Sequence, residues 1–420
     1  PLYSSAASDV YKRQFYDHPL DPSELDLVVN RKREIERLEQ ALKAASRGFR
    51  QNFAVLGDDG SGKTSLLNLA EAKGKLIPNI LIIMQEITSS TTELTFFKGI
   101  VGAIIRELEK LSGLSFRGDM EDIRKRVEGI VEEKASVAEV SISIGALLTF
   151  LGFGGKFGAE ERVTKGRYED ISEVLPSLES VVRSVLSKKF NTIVVMIDEA
   201  GYAVSETTKA LLQRLRLLFQ RPNFMLVVSG NPMLIDDLTT VEPTLANLIP
   251  ATSRISLAKL DQQDVHRLIT SRLDRVRKRG KGVEPFTMDA ADEVWRQTKG
   301  NPRDAVLICH EALNIASSKG ASGVRLEDVI EASRTVLASK GKDIFVKLKD
   351  HEKEIAYKLH AAGEDSLRSL AKRLKKQPST ISVQVKRLTN LGYVEIAATK
   401  GRRIYYRLSR ALEEYLNTLS

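Results

Sequence analysis

The 420-residue sequence holds one cysteine, Cys309, so no intramolecular disulfide can form, and the chain fits a reducing, cytoplasmic compartment. Its five histidines are scattered, with no Cys-x-x-Cys or His-Glu-x-x-His spacing, which argues against a structural zinc site. Long apolar runs are missing too. The longest uncharged stretch, Val140 to Gly155, has 16 residues, short of the roughly 20 that a membrane-spanning helix needs. No membrane partner is expected. The opening residues, "PLYSSAASDVYKRQ", lack the apolar core of a secretion signal. They resemble translated sequencing-adapter sequence, so residues 1–14 are expected to be a non-native leader outside the fold.

A hydrophobic fraction of 42% and a charged fraction of 28% are those of a soluble globular chain, and the length suits two or three domains. The net charge of +9 is unevenly placed. Ser339 to Ser420 carries 18 basic and 9 acidic residues, while the remainder carries 46 of each. The whole surplus lies at the C-terminal end and points to a polyanionic partner there.

The strongest local signal runs from Phe53 to Leu67. A short apolar run, Phe53 to Leu56, reads as a buried strand; Gly57-Asp58-Asp59-Gly60-Ser61-Gly62-Lys63-Thr64 follows; Ser65, Leu66, Leu67 and Leu69 open a helical pattern. Strand, G-x-x-x-x-G-K-[ST] loop and helix together are the phosphate-binding P-loop, or Walker A. Its glycines bring bare N–H groups close to phosphate oxygens, and the helix start adds its positive dipole end. Lys63 would reach the β- and γ-phosphates, and the Thr64 hydroxyl would hold Mg²⁺. ATP is the expected ligand, bound by Gly57 to Ser65.

A second buried strand, Ile193 to Ile197, ends in Asp198-Glu199. Downstream of a P-loop this is the Walker B pattern: Asp198 would orient Mg²⁺ and Glu199 would polarise the attacking water. The next strand, Phe224 to Val228, runs into Ser229-Gly230-Asn231-Pro232. A polar residue at that tip can touch the γ-phosphate; Asn231 is the first choice and Ser229 the second, while a turn asparagine before proline would read the same way.

Elsewhere, Ser23 to Ala45 has helical spacing with Asn30 at the N-cap position. It either packs beside the nucleotide base or is an ordinary amphipathic helix, and spacing alone favours the latter. Ile80 to Met84 reads as a strand, and Thr92 to Leu111 and Ile171 to Leu186 as helices. Residues 112–170 are an insertion. Within it Val140, Ile142 and Ile144 alternate with serines before a glycine-rich end, which suggests a β-hairpin, or else an apolar loop that touches a membrane or a second copy. After a short strand at Arg254 to Leu257, helices are expected at Asp261 to Arg279, Met288 to Thr298, Arg303 to Ser318 and Leu326 to Leu337, an all-helical lid. Cys309 and His310 are read as packing residues.

A linker near Ser339 to Lys342 then opens the basic end. Helices at Ile355 to Leu359 and Ser366 to Leu374 precede a turn at Lys375-Lys376-Gln377 and a helix from Pro378, whose Ile381, Val385, Leu388 and Leu391 form one apolar stripe. Strands at Tyr393 to Ile396 and Ile404 to Leu408 follow. This order is a winged helix-turn-helix. Ser379, Thr380, Ser382, Gln384, Lys386 and Arg387 are the polar DNA-facing residues around the stripe, of which the short hydroxyl and amide side chains would reach base edges, and Lys375, Lys376, Lys400, Arg402 and Arg403 would hold phosphates of double-stranded DNA. Use of the same domain for protein contact alone is the alternative.

P-loop, Asp-Glu strand end, polar tip, "GNPR" lid and winged helix, in that order, resemble AAA+ ATPases of the origin-recognition-complex and archaeal replication-initiator type, or their bacterial relatives. The resemblance covers roughly Ser23 to Ser420. It implies an α/β fold: a P-loop AAA+ core with a parallel sheet over residues 15–258, a helical lid over 259–340 and a winged-helix DNA-binding domain over 341–420. It also implies roles that spacing does not give. Arg303 would be the sensor-2 arginine on the γ-phosphate, and Asn231 the sensor-1 residue. Arg254 would be the arginine finger of a homo- or hetero-oligomer, with Arg214 and Arg221 on the same edge. The 112–170 insertion and the "SGNP" strand end depart from the family pattern. An ATP-hydrolysing, replication-initiator-like DNA switch with slow turnover is the leading expectation; an ATP-dependent transcriptional or defence regulator is the second.

Overall fold

The computed structural model describes residues 11–86, 190–203, 216, 219–220, 223–277, 282–401 and 403–419. The expectations for 92–111, the 112–170 insertion, 171–186, Arg214, Arg221 and Arg402 fall outside them. Among the described residues no helix is long and apolar enough to cross a membrane.

Five parallel strands form the first sheet: β1 (Phe53–Leu56), β2 (Ile80–Glu86), β3 (Thr192–Asp198), β4 (Phe224–Gly230) and β5 (Arg254–Ser256), in the order β2-β3-β4-β1-β5. Every residue of β1, β3 and β4 is buried. That explains why these strands are near-continuous apolar runs rather than alternating ones. Helices α1 (Lys32–Ala45) and α2 (Lys63–Lys75) pack Leu38, Leu42, Leu66 and Leu67 against Val55, Val194 and Met196. The expected cap of α1 is corrected here. The N-cap residue is Arg31, with no side-chain cap bond, while Asn30 has a left-handed φ of 52°. Its amide instead donates to Asp264 Oδ2 at 2.5 Å, tying the start of α1 to the lid.

Two short helices, α3 (Leu234–Val241) and α4 (Pro243–Asn247), lead to β5. The lid consists of α5 (Gln262–Asp274), α6 (Met288–Thr298), α7 (Pro302–Ser318) and α8 (Leu326–Lys347). Asp261 caps α5 as expected, in a reciprocal capping box with Asp264. Cys309 lies in the lid core, and His310 Nδ1 is 3.3 Å from the Lys12 carbonyl oxygen. Residues 11–14 lie on the fold, with Tyr11 packed on the lid core and Phe15 buried in it. Phe15 belongs with the lid cluster, not with the α/β layer.

The linker near Ser339 to Lys342 is also corrected. These residues lie inside α8, which runs unbroken from the lid to the winged helix. Gly341 makes this possible. A Cβ there would sit 2.0 Å from the Ala411 carbonyl oxygen, so only glycine lets the last helix, α12 (Arg410–Asn417), pack so close. Between them lie α9 (Asp350–Ala362), β6 (Asp365–Ser366), α10 (Leu367–Leu374), α11 (Pro378–Asn390), β7 (Val394–Lys400) and β8 (Arg403–Leu408), with the antiparallel order β6-β8-β7. Ile381, Val385 and Leu388 enter a core with Ile355, Leu359 and Leu370, and Leu391 is half-buried.

Candidate nucleotide site and nucleic-acid interface

The glycine loop leaves the C-terminal end of β1 beside that of β4, where Gly57 N donates to the Gly230 carbonyl at 3.1 Å. This is the crevice at the C-terminal strand ends where open parallel sheets hold ligands. Lys63 is buried; its Nζ donates to the carbonyls of Gly57 at 3.2 Å and Asp58 at 3.1 Å. Thr64 Oγ1 donates to Asp198 Oδ2 at 2.6 Å, joining the two motifs that the sequence separates by more than a hundred residues. Asp198 is buried at the end of β3. Its Oδ1 accepts from the Ser229 hydroxyl and, at 3.0 Å, from the Glu199 amide. Glu199 follows with a left-handed φ of 55°, a conformation that non-glycine residues adopt mainly where the surroundings impose it.

The polar strand tip divides into two roles. Ser229 lies on β4 and touches the Walker B aspartate. Asn231 lies one residue past the strand, and its Oδ1 accepts from Met233 N at 2.8 Å, which is the turn geometry of an asparagine before proline. Arg254, at the start of edge strand β5, is half-buried and donates from Nη2 to the Ile249 carbonyl at 3.3 Å.

The lid closes directly on the glycine loop. Asn301 Nδ2 donates to the Asp59 carbonyl at 2.7 Å, and Arg303 N donates to the Gly60 carbonyl at 3.3 Å. Gly60 has a φ of 77°, and a Cβ on it would lie 2.7 Å from both Arg303 Cβ and Asn301 Oδ1. A side chain at this position would hold the lid away. The Arg303 guanidinium pairs with Asp17 through Nε and Nη2, each at 2.7 Å, and reaches Asp59 at 3.9 Å. The Asp17 carboxylate, outweighing partial burial, pushes the Arg303 pKa further up.

Three site residues carried no signal in spacing. Arg31, in "VVNRKRE", is buried and donates from Nη2 to the carbonyls of Ala258 at 2.6 Å and Ser61 at 3.4 Å, so it braces the loop against the lid entrance. Burial lowers its pKa, opposed by Glu34 and Asp264. Asp17 lies in a stretch with no periodicity. Lys340, on α8, grips Asp304 at 2.6 and 2.8 Å. Arg31, Asp17 and the loop surround a cavity of about 260 Å³, walled by Leu27, Val28, Val29, Leu268, Arg272 and the lid residues Arg303 and Val306. The segment before α1 thus lines the cavity. Thr64 and Asp198 offer hard oxygen donors suited to magnesium, which keeps several waters of its own.

In the winged helix, Ser379, Thr380, Ser382 and Lys386 on α11 are exposed, as are Lys375 in the preceding turn and Arg403 on the wing. Gln384 is half-buried. Three of the expected phosphate or base contacts are already in ion pairs: Lys376 with Glu354 at 2.8 Å, Arg387 with the buried Glu352, and Lys400 with Glu364 at 3.0 Å. Lys400 also stands 4.7 Å from the Tyr405 ring centre. At the other face, Lys299, next to the "GNPR" turn, reaches Glu395 on β7 at 2.6 Å.

Residues 27–228 match the AAA ATPase domain family, and residues 346–388 match a helix-turn-helix domain family. A segment that matches the AAA ATPase domain family is thus joined by a helical lid to a C-terminal segment that matches a helix-turn-helix domain family. Over its length the sequence is 25% identical to an uncharacterized HTH-type transcriptional regulator of Methanocaldococcus jannaschii, across 98% of this chain and 95% of that one. The fold is similar to that of the Aeropyrum pernix ORC1 protein, solved in complex with DNA (TM-score 0.52, 16% identity, 97% of this chain and 98% of that one). It is also similar to the Aeropyrum pernix ORC2 protein, solved as ADPNP–ADP complexes (TM-score 0.58, 15% identity, 96% of each chain). At such identities the likeness is one of fold. The expected α/β core with parallel sheet, lid and winged helix, and the resemblance to origin-recognition ATPases, stand.

Proposed function

We propose that the protein is an ATP-binding, ATP-hydrolysing switch that holds duplex DNA through its winged helix. One observation carries this reading. The residues that close on the glycine loop, Asn301 and Arg303, are bound through Asp304 and Lys340 to α8, and α8 continues into the winged helix. A ligand that moves Arg303 therefore pulls on the helix that carries the other domain.

In this reading the loop amides and Lys63 hold the phosphates, and Thr64 with Asp198 would hold a magnesium ion, whose role when bound is to neutralise phosphate charge. Asp198 is kept in place by Ser229 and the Glu199 amide. Glu199 orients and polarises the attacking water, and Arg303 leaves Asp17 for the γ-phosphate, with Asn231 as the sensor at the strand tip. Arg254, on the edge strand, would complete the site of a neighbouring subunit. Turnover is slow outside an assembly. Lys375, Lys386 and Arg403 contact phosphates, while Ser379, Thr380 and Ser382 approach base edges. Likeness in fold to a protein solved with DNA and to one solved with ADPNP and ADP supports both halves. Titration with a fluorescent ATP analogue tests the first half, and undiminished binding by Lys63→Ala would overturn it.

A transcriptional role is the second reading, favoured by the relative described as an HTH-type transcriptional regulator. Footprinting across the native genome separates the two: sites clustered at an origin support an initiator, and sites at promoters support a regulator.

A further inference from the structure

The cavity beside the glycine loop has two chemically different ends. At the loop end, Arg31 joins Ser61 and Ala258, and the neighbouring Asn30 fixes Asp264 near the start of α5. Arg272 lies two helical turns further along α5, about 12 Å down its axis. Leu268, one turn before it on α5, and Leu27 and Val29 give the cavity apolar wall.

Arg272 is only 6% exposed, and its Nε and Nη1 have no hydrogen-bond partner among the described residues. The nearby carboxylates are engaged elsewhere: Asp26 accepts from Arg275 Nε at 2.9 Å, and Glu24 accepts from Arg275 Nη1 at 3.4 Å. Cys309, the other titratable neighbour, is fully buried, and burial pushes its thiol pKa up, so it stays neutral. Burial also lowers the Arg272 pKa, to about 10, which leaves the guanidinium charged at neutral pH. A buried charged donor without an acceptor is costly, and its place in a cavity wall indicates that the acceptor arrives with a ligand. A guanidinium cannot accept, so the ligand must present acceptors at an apolar end remote from the phosphate loop. A purine ring, flat and apolar with acceptor nitrogens on its edge, meets both requirements.

We propose that Arg272 recognises the base of the bound nucleotide by donating from its guanidinium to acceptor atoms on a purine edge. This rests on the nucleotide reading above. It makes Arg272 a specificity-determining residue, separate from the phosphate loop.

The test is calorimetric titration of the full chain with ATP, CTP and inorganic tripolyphosphate, for wild type, Arg272→Met and Arg272→Lys. The expected result is that wild type binds ATP more tightly than CTP or tripolyphosphate. Arg272→Met should bind ATP about 10- to 100-fold more weakly with unchanged tripolyphosphate affinity. Arg272→Lys, with one donor group in place of a fork, should fall between. Melting without nucleotide guards against misfolding, and Arg272→Met should melt no lower than wild type, since it removes an unpaired buried charge. ATP affinity unchanged in Arg272→Met overturns the assignment, as does an equal loss for ATP and tripolyphosphate. A wild type that binds tripolyphosphate as well as ATP also overturns it while leaving the phosphate loop standing. A wild type that binds neither brings down the nucleotide reading and this one with it.

Discussion

The nucleotide cleft and the winged helix meet their proposed anions by opposite means. In the cleft, Lys63 and Asp198 are buried, and Thr64, Ser229 and Glu199 interlock around a single carboxylate. In the winged helix, Lys375, Lys386 and Arg403 stand in solvent, and other basic residues are held by local acids. A buried site stakes its function on a few positions, because each group lost leaves another unsatisfied. An exposed cationic surface spreads its affinity over many weak, salt-screened contacts.

Substitutions should break along that line. Lys63→Ala is expected to weaken ATP binding by about 100-fold or more, since it deletes a charge-assisted contact in a buried site; equilibrium titration measures it, and DNA affinity without nucleotide should not move. Glu199→Gln should retain ATP and lose about 100-fold in turnover, read by phosphate release. On the exposed side, Lys375→Ala, Lys386→Ala and Arg403→Ala should each weaken duplex binding only a few-fold. Each should also flatten the plot of log affinity against log salt by about one unit. Binding that does not depend on salt would instead favour protein contact as the role of this domain.

The smallest effect belongs to the bridge between the two regions. Lys299→Ala removes an exposed pair with Glu395 and should cost under about 1 kcal/mol of stability. Burial alone would raise the Glu395 pKa, but Lys299 and Arg407 outweigh it and hold it below the usual carboxylate value. A carboxylate depressed in the folded state contributes stability above its unfolded pKa and loses it as pH falls through the folded one. The difference between wild type and Lys299→Ala should therefore be present at pH 7 and vanish in acid below that folded pKa, as denaturant melts would show.

The same contrast explains what was legible beforehand. The glycine loop and the Asp-Glu strand end could be read because backbone geometry and phosphate chemistry dictate their residues at fixed offsets. Buried parallel strands announced themselves as apolar runs, and the stripe Ile381, Val385, Leu388 gave the third helix of the winged domain. What stayed hidden depends on residues brought together from afar. Asn30 looked like a cap but reaches Asp264, and Arg31, which gave no signal in spacing, braces the loop. The supposed linker is helix, and its Gly341 lets α12 pack closely at Ala411, a tertiary contact that no local pattern encodes. Asn231 ranked above Ser229 as the strand-tip polar residue, yet the strand's end places only Ser229 against Asp198.

The central claim is that one machine joins cleft and winged helix through α8. Its most direct test is fluorescence anisotropy of a labelled DNA duplex titrated with the protein, in ADP and in a non-hydrolysable ATP analogue. The account predicts at least a five-fold difference in DNA affinity between the two nucleotides for wild type, and none for Lys63→Ala. Equal affinities in wild type, with both nucleotides bound, would contradict it.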